Sequence, residues 1–234
     1  MQKQLLLGVE AIAQGAIDSG ISGVYAYPGT PSTEITEYIQ NSKEAIARNV
    51  HRAWAANEKT AMESALGMSY AGKRALVCMK HVGMNVAADC FMNAAITGAN
   101  GGLVVTAADD PSMHSSQNEQ DSRHYAIAAK LPMVEPANSA ECREFVMQAF
   151  DLSEKFDTPF IFRLTTRVSH SRSPVEEGER VELPILPYEK NAAKHVMMPG
   201  NAKKRHIVVE EHLAALREFA ETTSLNRVEQ NGAS

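Results

Sequence analysis

Short apolar runs alternate with amphipathic segments along most of this chain, from residue 5 to about residue 163. The apolar runs predict strands at residues 24–27, 45–54, 74–80, 101–110, 132–136 and 159–165. The segments around them predict helices at residues 5–20, 34–42, 57–71, 83–100, 126–130 and 139–156. Strands separated by helices of this length pair in parallel, so we expect an α/β fold whose parallel sheet is covered by helices on both faces.

The pattern changes after residue 173, where the regular alternation stops and four of the ten prolines are found. Residues 174–206 predict an extended arm, and residues 207–224 predict one helix before a polar end. We therefore predict an α/β domain over residues 1–173 and an extended arm with a helix over residues 174–234.

The composition argues against several classes of protein. A formal net charge of -5 gives no electrostatic reason to expect a nucleic-acid partner. The sequence has no run of about 18 apolar residues, which argues against a membrane-spanning helix. The three cysteines are widely spaced and odd in number, so they predict neither a disulfide framework nor a metal site. We expect a cytoplasmic protein without metal ligands in this chain.

Ligands of open parallel sheets bind beyond the carboxyl ends of the strands, so the loops there are the places to expect a site. The first is the turn YPGTPST, where Thr30 lies beside a glycine and two prolines just before a helix. The free N–H groups at a helix start suit an anionic or polar ligand. A rigid turn that only caps the helix explains the same pattern equally well.

Glu58 begins the helix of the segment NEKTAMESALGMSYAG, directly after a predicted strand. An acid in the first turn of a helix is usually an exposed residue that interacts favourably with the helix dipole. The small and apolar neighbours of Glu58 instead favour burial, and a buried carboxylic acid is suited to proton transfer. The pattern alone leaves both interpretations open.

The third candidate loop is long and polar and follows the predicted strand 101–110. Arg123 in this loop could pair with a substrate carboxylate. His81 and Asn85 follow strand 74–80 and could point into the same cleft, although a histidine at a strand end is more often structural. Phosphate-binding and dinucleotide-binding glycine motifs, HExxH and GxSxG are absent. The residues alone thus predict an α/β ligand-binding domain with one candidate catalytic carboxylate.

Three segments together resemble the thiamine diphosphate-dependent 2-oxoacid:ferredoxin oxidoreductases: YPGTPS, NEKTAMESALGMSYAGKRALVCMKHVGMN and NEQDSRHYAIAAKLPMVEP. They are most similar to the amino-terminal, pyrimidine-binding domain in the alpha subunit of the indolepyruvate enzymes. The segments PGNAKKRH and LNRVE extend the resemblance along the arm, so that it runs from about Leu5 to Arg227. Ala26 stands where many relatives have glycine.

The resemblance implies roles for individual residues. Glu58 falls where the family has a glutamate that hydrogen-bonds the aminopyrimidine ring of thiamine diphosphate. Thr30 matches the threonine of the family's TPS turn, near cofactor and substrate. Arg123 falls where a related enzyme has an arginine for the substrate carboxylate. Because His81 and Asn85 follow the neighbouring strand, we expect them to bind the cofactor in the same cleft.

The resemblance also implies the reaction, the oxidative decarboxylation of aryl pyruvates to aryl-acetyl-CoA with electrons passed to ferredoxin. In the family, a Gly-Asp-Gly…Asn signature holds the diphosphate and its magnesium, and a cysteine run holds iron–sulfur clusters. Both are missing here. We expect a second thiamine-binding domain, a ferredoxin-like domain and a beta subunit to supply them. We also expect a homo-oligomer, and no activity from this chain alone.

Two other interpretations stay open. The chain could be half of a non-oxidative thiamine diphosphate-dependent decarboxylase, or a non-catalytic interaction module of the same fold. The loop NEQDSRHY and the arm segment PGNAKKRH favour the oxidoreductase. An exposed Glu58 would favour the interaction module.

Overall fold

A computed structural model describes residues 3–176, 178, 180–228 and 232. The strands, in chain order, are β1 Lys3–Leu7, β2 Gly23–Ala26, β3 His51–Trp54, β4 Ala75–Lys80, β5 Leu103–Asp109, β6 Met133–Val134, β7 Phe160–Thr165 and β8 Arg172–Glu176. The helices are α1 Gly8–Asp18, α2 Thr33–Asn41, α3 Lys43–Ala47, α4 Glu58–Tyr70, α5 His81–Thr97, α6 Arg123–Ala129, α7 Ser139–Phe156, α8 Thr166–His170, α9 Ala192–His195 and α10 Pro199–Thr222.

Six strands form a parallel sheet in the order β3-β2-β4-β5-β7-β6, which confirms the predicted fold class. Strands β4 and β5 are buried along their whole length, as expected for strands covered on both faces. Alternate side chains of these strands enter two separate cores. Helices α1, α2 and α7 pack on one face, and α4, α5 and α6 pack on the other.

The strand order reverses at two places in the sheet. At each place, the helices that follow two neighbouring strands leave toward opposite faces, which opens a crevice at the carboxyl ends of those strands. The first crevice lies between β2 and β4, because α2 follows β2 on one face while α5 follows β4 on the other. The second lies between β5 and β7, because α6 and α8 likewise leave toward opposite faces. In the first crevice, Ala26 pairs with Cys78, so the turn after β2 lies beside the end of β4.

Two segments in the first part of the chain differ from the sequence-based prediction, and helices α9 and α10 lie partly or wholly in the predicted extended arm 174–206. Residues 5–7 were expected in the first helix but belong to β1, which pairs antiparallel with β8 in a separate ribbon. Residues 45–47 were expected in a strand but belong to α3. The side chain of Ser42 accepts a hydrogen bond from the backbone N of Ala45 and caps this short helix. Asn49, with a φ of 54°, then turns the chain into β3.

The arm runs along the amino ends of the strands, opposite the two crevices. The backbone N of Val181 donates to the carbonyl of Asp18 at 2.8 Å, and that of Leu186 donates to the carbonyl of Gly72 at 2.9 Å. Gly72 has a φ of 80°, and a Cβ there would overlap the carbonyl oxygen of Leu186. The arm is thus tied to the loops that precede β2 and β4. The domain division at residue 173 stays a prediction, and β8 spans it.

Helix α10 is longer than the predicted segment 207–224 and packs near the carboxyl end of α5. Arg205 donates to the carbonyls of Ile96 and Thr97. Further along the helix, Leu216 and Phe219 line an apolar cavity of about 430 Å³ together with residues of β6. The helix therefore lies beside the edge of the sheet that β6 forms. Within the described residues, no helix is long and apolar enough to span a membrane.

Candidate active site

Glu58 is buried at the carboxyl end of β3, as the first residue of α4. Asn57 caps this helix, since its side-chain oxygen accepts a hydrogen bond from the backbone N of Thr60 at 2.9 Å. Only 9% of the Glu58 surface is exposed. Glu58 therefore differs from most acidic residues in the first turn of a helix, which are exposed.

The carboxyl group of Glu58 lies against the backbone of α5 at Gly83. A Cβ built on Gly83 would come within 2.7 Å of both Cγ and Oε1 of Glu58. No real Cβ contact is that short, so any side chain at this position would force the Glu58 carboxyl group to move from its place. The sequence shows this glycine in the segment KHVGMN but not what it packs against.

His81, the first residue of α5, is completely buried. Its Nε2 lies 3.1 Å from the carbonyl oxygen of Asn118. Because a carbonyl only accepts hydrogen bonds, Nε2 must donate, and in a neutral ring Nδ1 then carries a lone pair. Among the described residues, this buried Nδ1 has no hydrogen-bond partner. Such an unpaired buried group is uncommon and marks the place as a candidate ligand contact.

The turn after β2 is held by its own hydrogen bonds. The backbone N of Gly29 donates to Oγ1 of Thr33 at 2.8 Å, and Oγ of Ser32 donates to the carbonyl of Gly29 at 2.7 Å. The Ser32 side chain makes no capping bond to α2, and the hydroxyls of Ser32 and Thr33 close the turn instead. Thr30 is exposed at the tip of this turn, on the rim of the first crevice.

Lys80 is a buried cation that the sequence reasoning did not single out. It ends β4 with 8% of its surface exposed, and Nζ donates to the carbonyl oxygen of Ser115 at 2.6 Å. The lysine thereby joins the end of the central strand to the long polar loop. The signal was available, because a charged residue closes the otherwise apolar strand ALVCMK.

Arg123 and Asn85 are both exposed, at the outer side of the site. Arg123 donates from Nε and Nη2 to the carboxylate of Asp121, at distances of 2.7 to 3.0 Å. These bonds lower the pKa of Asp121 to about 2. The side-chain oxygen of Asn85 accepts a hydrogen bond from the hydroxyl of Tyr125. Glu58 and His81 are therefore buried in the protein, whereas Thr30, Asn85 and Arg123 are exposed on its surface.

A buried ion pair lies at the second crevice, between β5 and β7. Arg163 on β7 is 5% exposed and donates from Nε to Asp109 at the end of β5, at 2.7 Å. Its Nη1 also donates to Glu135. Asp109 in turn accepts hydrogen bonds from the backbone N and the hydroxyl of Ser122. This network fixes the end of the polar loop next to Arg123. Sequence reasoning missed it, although Arg163 interrupts the apolar strand FIFRLT.

The cysteines are free and buried at three separate places, Cys78, Cys90 and Cys142. Burial raises the pKa of these thiols to about 12, 11 and 12 respectively, so they stay protonated and are poor metal ligands. In the part of the chain that the structure describes, no group of three or more His, Cys, Asp or Glu side chains could hold a metal ion.

Comparison with known proteins identifies the family. Residues 14–231 match the family described as "Pyruvate flavodoxin/ferredoxin oxidoreductase, thiamine diP-bdg". The chain belongs to this family. A solved structure of a 2-oxoglutarate:ferredoxin oxidoreductase from Magnetococcus marinus has the same fold and superimposes with a TM-score of 0.78. That match has 18% identity and covers 93% of this chain and 45% of the other chain.

Several curated relatives within the family are more similar in sequence. The "Indolepyruvate oxidoreductase subunit IorA" of Archaeoglobus fulgidus is 45% identical over 98% of this chain. The protein of the same name from Methanothermobacter marburgensis is 46% identical over 95% of this chain. The chain spans 37% and 36% of the length of these two relatives, so it corresponds to just over one third of each.

Proposed function

We propose that this chain is the pyrimidine-binding domain of an indolepyruvate:ferredoxin oxidoreductase. The whole enzyme would oxidatively decarboxylate aryl pyruvates to aryl-acetyl-CoA in the cytoplasm and pass the electrons to ferredoxin. The observation that carries the proposal is the burial of Glu58 against Gly83, beside the first crevice of the sheet. The names of the relatives support the substrate class.

The residues present suit thiamine diphosphate. Its aminopyrimidine ring offers ring nitrogens and an amino group, which need a carboxyl group and a hydrogen-bond acceptor as partners. Glu58 supplies the first and Nδ1 of His81, buried and unpaired among the described residues, supplies the second. Thr30 and Asn85 would contact the cofactor from the rim. Bound thiamine diphosphate supplies the electron sink for the loss of carbon dioxide from a 2-oxo acid.

In this proposal Glu58 holds and transfers a proton at the ring nitrogen. The α5 backbone at Gly83 keeps water away from one side of the carboxyl group, so its hydrogen bond to the ring is made in a sheltered environment. Arg123 would approach the substrate carboxylate after leaving Asp121. In this arrangement the carboxyl group of Glu58 would act inside the crevice, and the guanidinium group of Arg123 would act from the exposed rim.

Other parts of the enzyme would complete the site. Magnesium and the iron–sulfur clusters would be bound by a second thiamine-binding domain and a ferredoxin-like domain, and a beta subunit would assemble with them in a homo-oligomer. Coenzyme A would take the acyl group. The family match weighs against a non-oxidative decarboxylase, and the burial of Glu58 weighs against a non-catalytic module.

Replacement of the buried acid tests the proposal. Glu58→Gln, made in the full-length protein assembled with its partner subunit, should lower indolepyruvate-dependent ferredoxin reduction by about 100- to 10,000-fold, the usual contribution of general acid–base catalysis. Glu63→Gln is the matched control, because Glu63 lies on the same helix but is exposed. Near-normal turnover of Glu58→Gln with thiamine diphosphate bound would contradict the proposal.

A further inference from the structure

Lys80 carries a charge that its contacts satisfy only in part. It is the last residue of β4, at the first crevice of the sheet, and 8% of its surface is exposed. Lysines are almost never buried to this depth without a partner, because removing an ammonium group from water is costly. The position therefore requires an explanation beyond folding.

The YPGTPS turn covers the side chain of this lysine. A Cβ built on Gly29 would lie 3.3 Å from Cβ and 3.8 Å from Cδ of Lys80. The Lys80 ammonium donates to the carbonyl oxygen of Ser115 at 2.6 Å, and the hydroxyl of Ser115 lies at the limiting distance of 3.5 Å. An ammonium group has three N–H donors, so these contacts leave at least one of them without a good acceptor.

The arginines nearby differ from Lys80, because carboxylates already hold them. Arg163 is bound by Asp109 and Arg123 is bound by Asp121. Within the described ranges, no carboxylate oxygen forms an ion pair with Lys80, whose acceptor is the neutral carbonyl of Ser115. Of these three cations, Lys80 is thus the one for which an anion would be a new partner rather than a competitor.

The start of α5 adds to the positive potential around Lys80. The helix begins at the next residue, His81, and is 17 residues long, so the positive end of its dipole lies beside the ammonium group. This end makes an unpaired cation less favourable and a bound anion more favourable. The buried Nδ1 of His81 is a second group there without a partner among the described residues. Because this nitrogen is an acceptor, it does not bind an anion, so it is the unfilled donor of Lys80 together with the helix start that indicates a negatively charged ligand in the crevice.

We infer that Lys80 binds the carboxylate of the 2-oxo acid substrate, from beneath the YPGTPS turn. The inference rests on the proposed function and adds a binding residue to it, alongside Arg123 on the rim. It also explains the contact with Ser115, because the lysine that binds the substrate is the one that holds the polar loop over the crevice. A lysine that only tied the loop down would give no preference for a charged ligand.

Two inhibitors of the same shape separate the two roles in the full-length enzyme. 3-Phenylpropionate carries the carboxylate of the substrate class but no keto group, and 3-phenylpropanol is uncharged. Lys80→Met should weaken inhibition by the acid about 10- to 100-fold, the range for a lost hydrogen bond to a charged group. Inhibition by the alcohol and the affinity for thiamine diphosphate should change less than about twofold. Lys80→Arg should restore part of the affinity for the acid.

The controls keep the test decisive. Lys130→Met removes a lysine that pairs with Glu210, away from the crevice, and should leave both inhibitors unaffected. If Lys80→Met does not fold, the two inhibition constants are measured on Lys80→Gln instead, because the glutamine amide keeps a hydrogen-bond donor for the Ser115 carbonyl. An unchanged inhibition constant for the acid, or an equal loss for acid and alcohol, would overturn the inference. An absence of thiamine diphosphate-dependent turnover in the unmodified enzyme would instead overturn the proposed function.

Discussion

Gly83→Ala should separate the stability of the protein from the placement of its catalytic acid. The new Cβ would lie 2.7 Å from Cγ and Oε1 of Glu58, whereas ordinary contacts begin near 3.4 Å. The carboxyl group of Glu58 must therefore withdraw by about 0.7 Å, since the α5 backbone cannot move without disturbing the core. The side chain of Glu58 is flexible, so this withdrawal costs little folding free energy.

The expected changes in thermal stability and in catalytic rate follow from these distances. Alanine favours a helix interior over glycine by about 1 kcal/mol, so the melting temperature should change by no more than about 2–4 °C in either direction. A misplacement approaching 1 Å in a catalytic group can reduce the rate about 100-fold. We therefore expect Gly83→Ala to keep its melting temperature while kcat/KM for indolepyruvate falls about 10- to 100-fold and the affinity for thiamine diphosphate weakens.

The assay combines thermal unfolding, calorimetric titration of thiamine diphosphate and steady-state ferredoxin reduction in the full-length protein. Gly67→Ala is the matched control, because Gly67 lies in α4 with no atom within 4 Å of an added Cβ. It should leave activity unchanged. If Gly83→Ala is folded and has normal cofactor affinity and turnover, then the contact between Glu58 and α5 does not position the acid, and the reasoning is wrong.

Three further changes test other parts of the structure. Arg123→Ala should raise the apparent KM for aryl pyruvates about two- to fivefold with kcat little changed, because this exposed arginine is shared with Asp121; an unchanged KM in steady-state assays would remove the assignment. Asp121→Asn should destabilise the protein above about pH 4, because hydrogen bonds from Arg123 lower the pKa of Asp121 to about 2 and the ionised carboxylate therefore stabilises the fold. This stabilisation is lost as the carboxylate is protonated, so the difference in unfolding free energy between the variant and the unmodified protein, measured in urea, should vanish toward pH 2. A difference that does not depend on pH would exclude this cause. Gly72→Ala should release the arm and make it sensitive to limited proteolysis near Leu186, whereas resistance like that of the unmodified protein would show that the arm is held elsewhere.

The sheet and most helices could be predicted from the sequence, because strands buried on both faces are continuous apolar runs. The run ALVCMK and helix α7, which begins at Ser139 and ends at Phe156 as expected, are examples. The first strand could not be predicted, since residues 5–7 are apolar enough for a helix as well. Their conformation depends on pairing with β8, which is about 165 residues away along the chain.

The sequence could indicate candidate residues for the site, whose roles stay predictions, but not how deeply each of them is buried. The resemblance implied a role for Glu58, the position after a strand suggested that His81 faces the cleft, and the structure buries both side chains. Sequence alone could not show that Gly83 makes room for Glu58, or that Arg123 is held by Asp121, because both facts depend on side chains from different elements. Lys80 was overlooked because a lysine at the end of a strand is normally exposed, whereas here a turn and a loop from two other strands cover it.

The pair formed by Arg163 and Asp109 has a consequence for selectivity. A sheet with two such crevices could bind small acids in both of them. Acids bound in one crevice would then react, and acids bound in the other would not. In the second crevice, Asp109 already pairs with Arg163, so this arginine is not free to bind an incoming carboxylate. Under our inference, the carboxylate of the substrate binds instead at Lys80, beside the turn after β2, where no carboxylate among the described residues forms an ion pair.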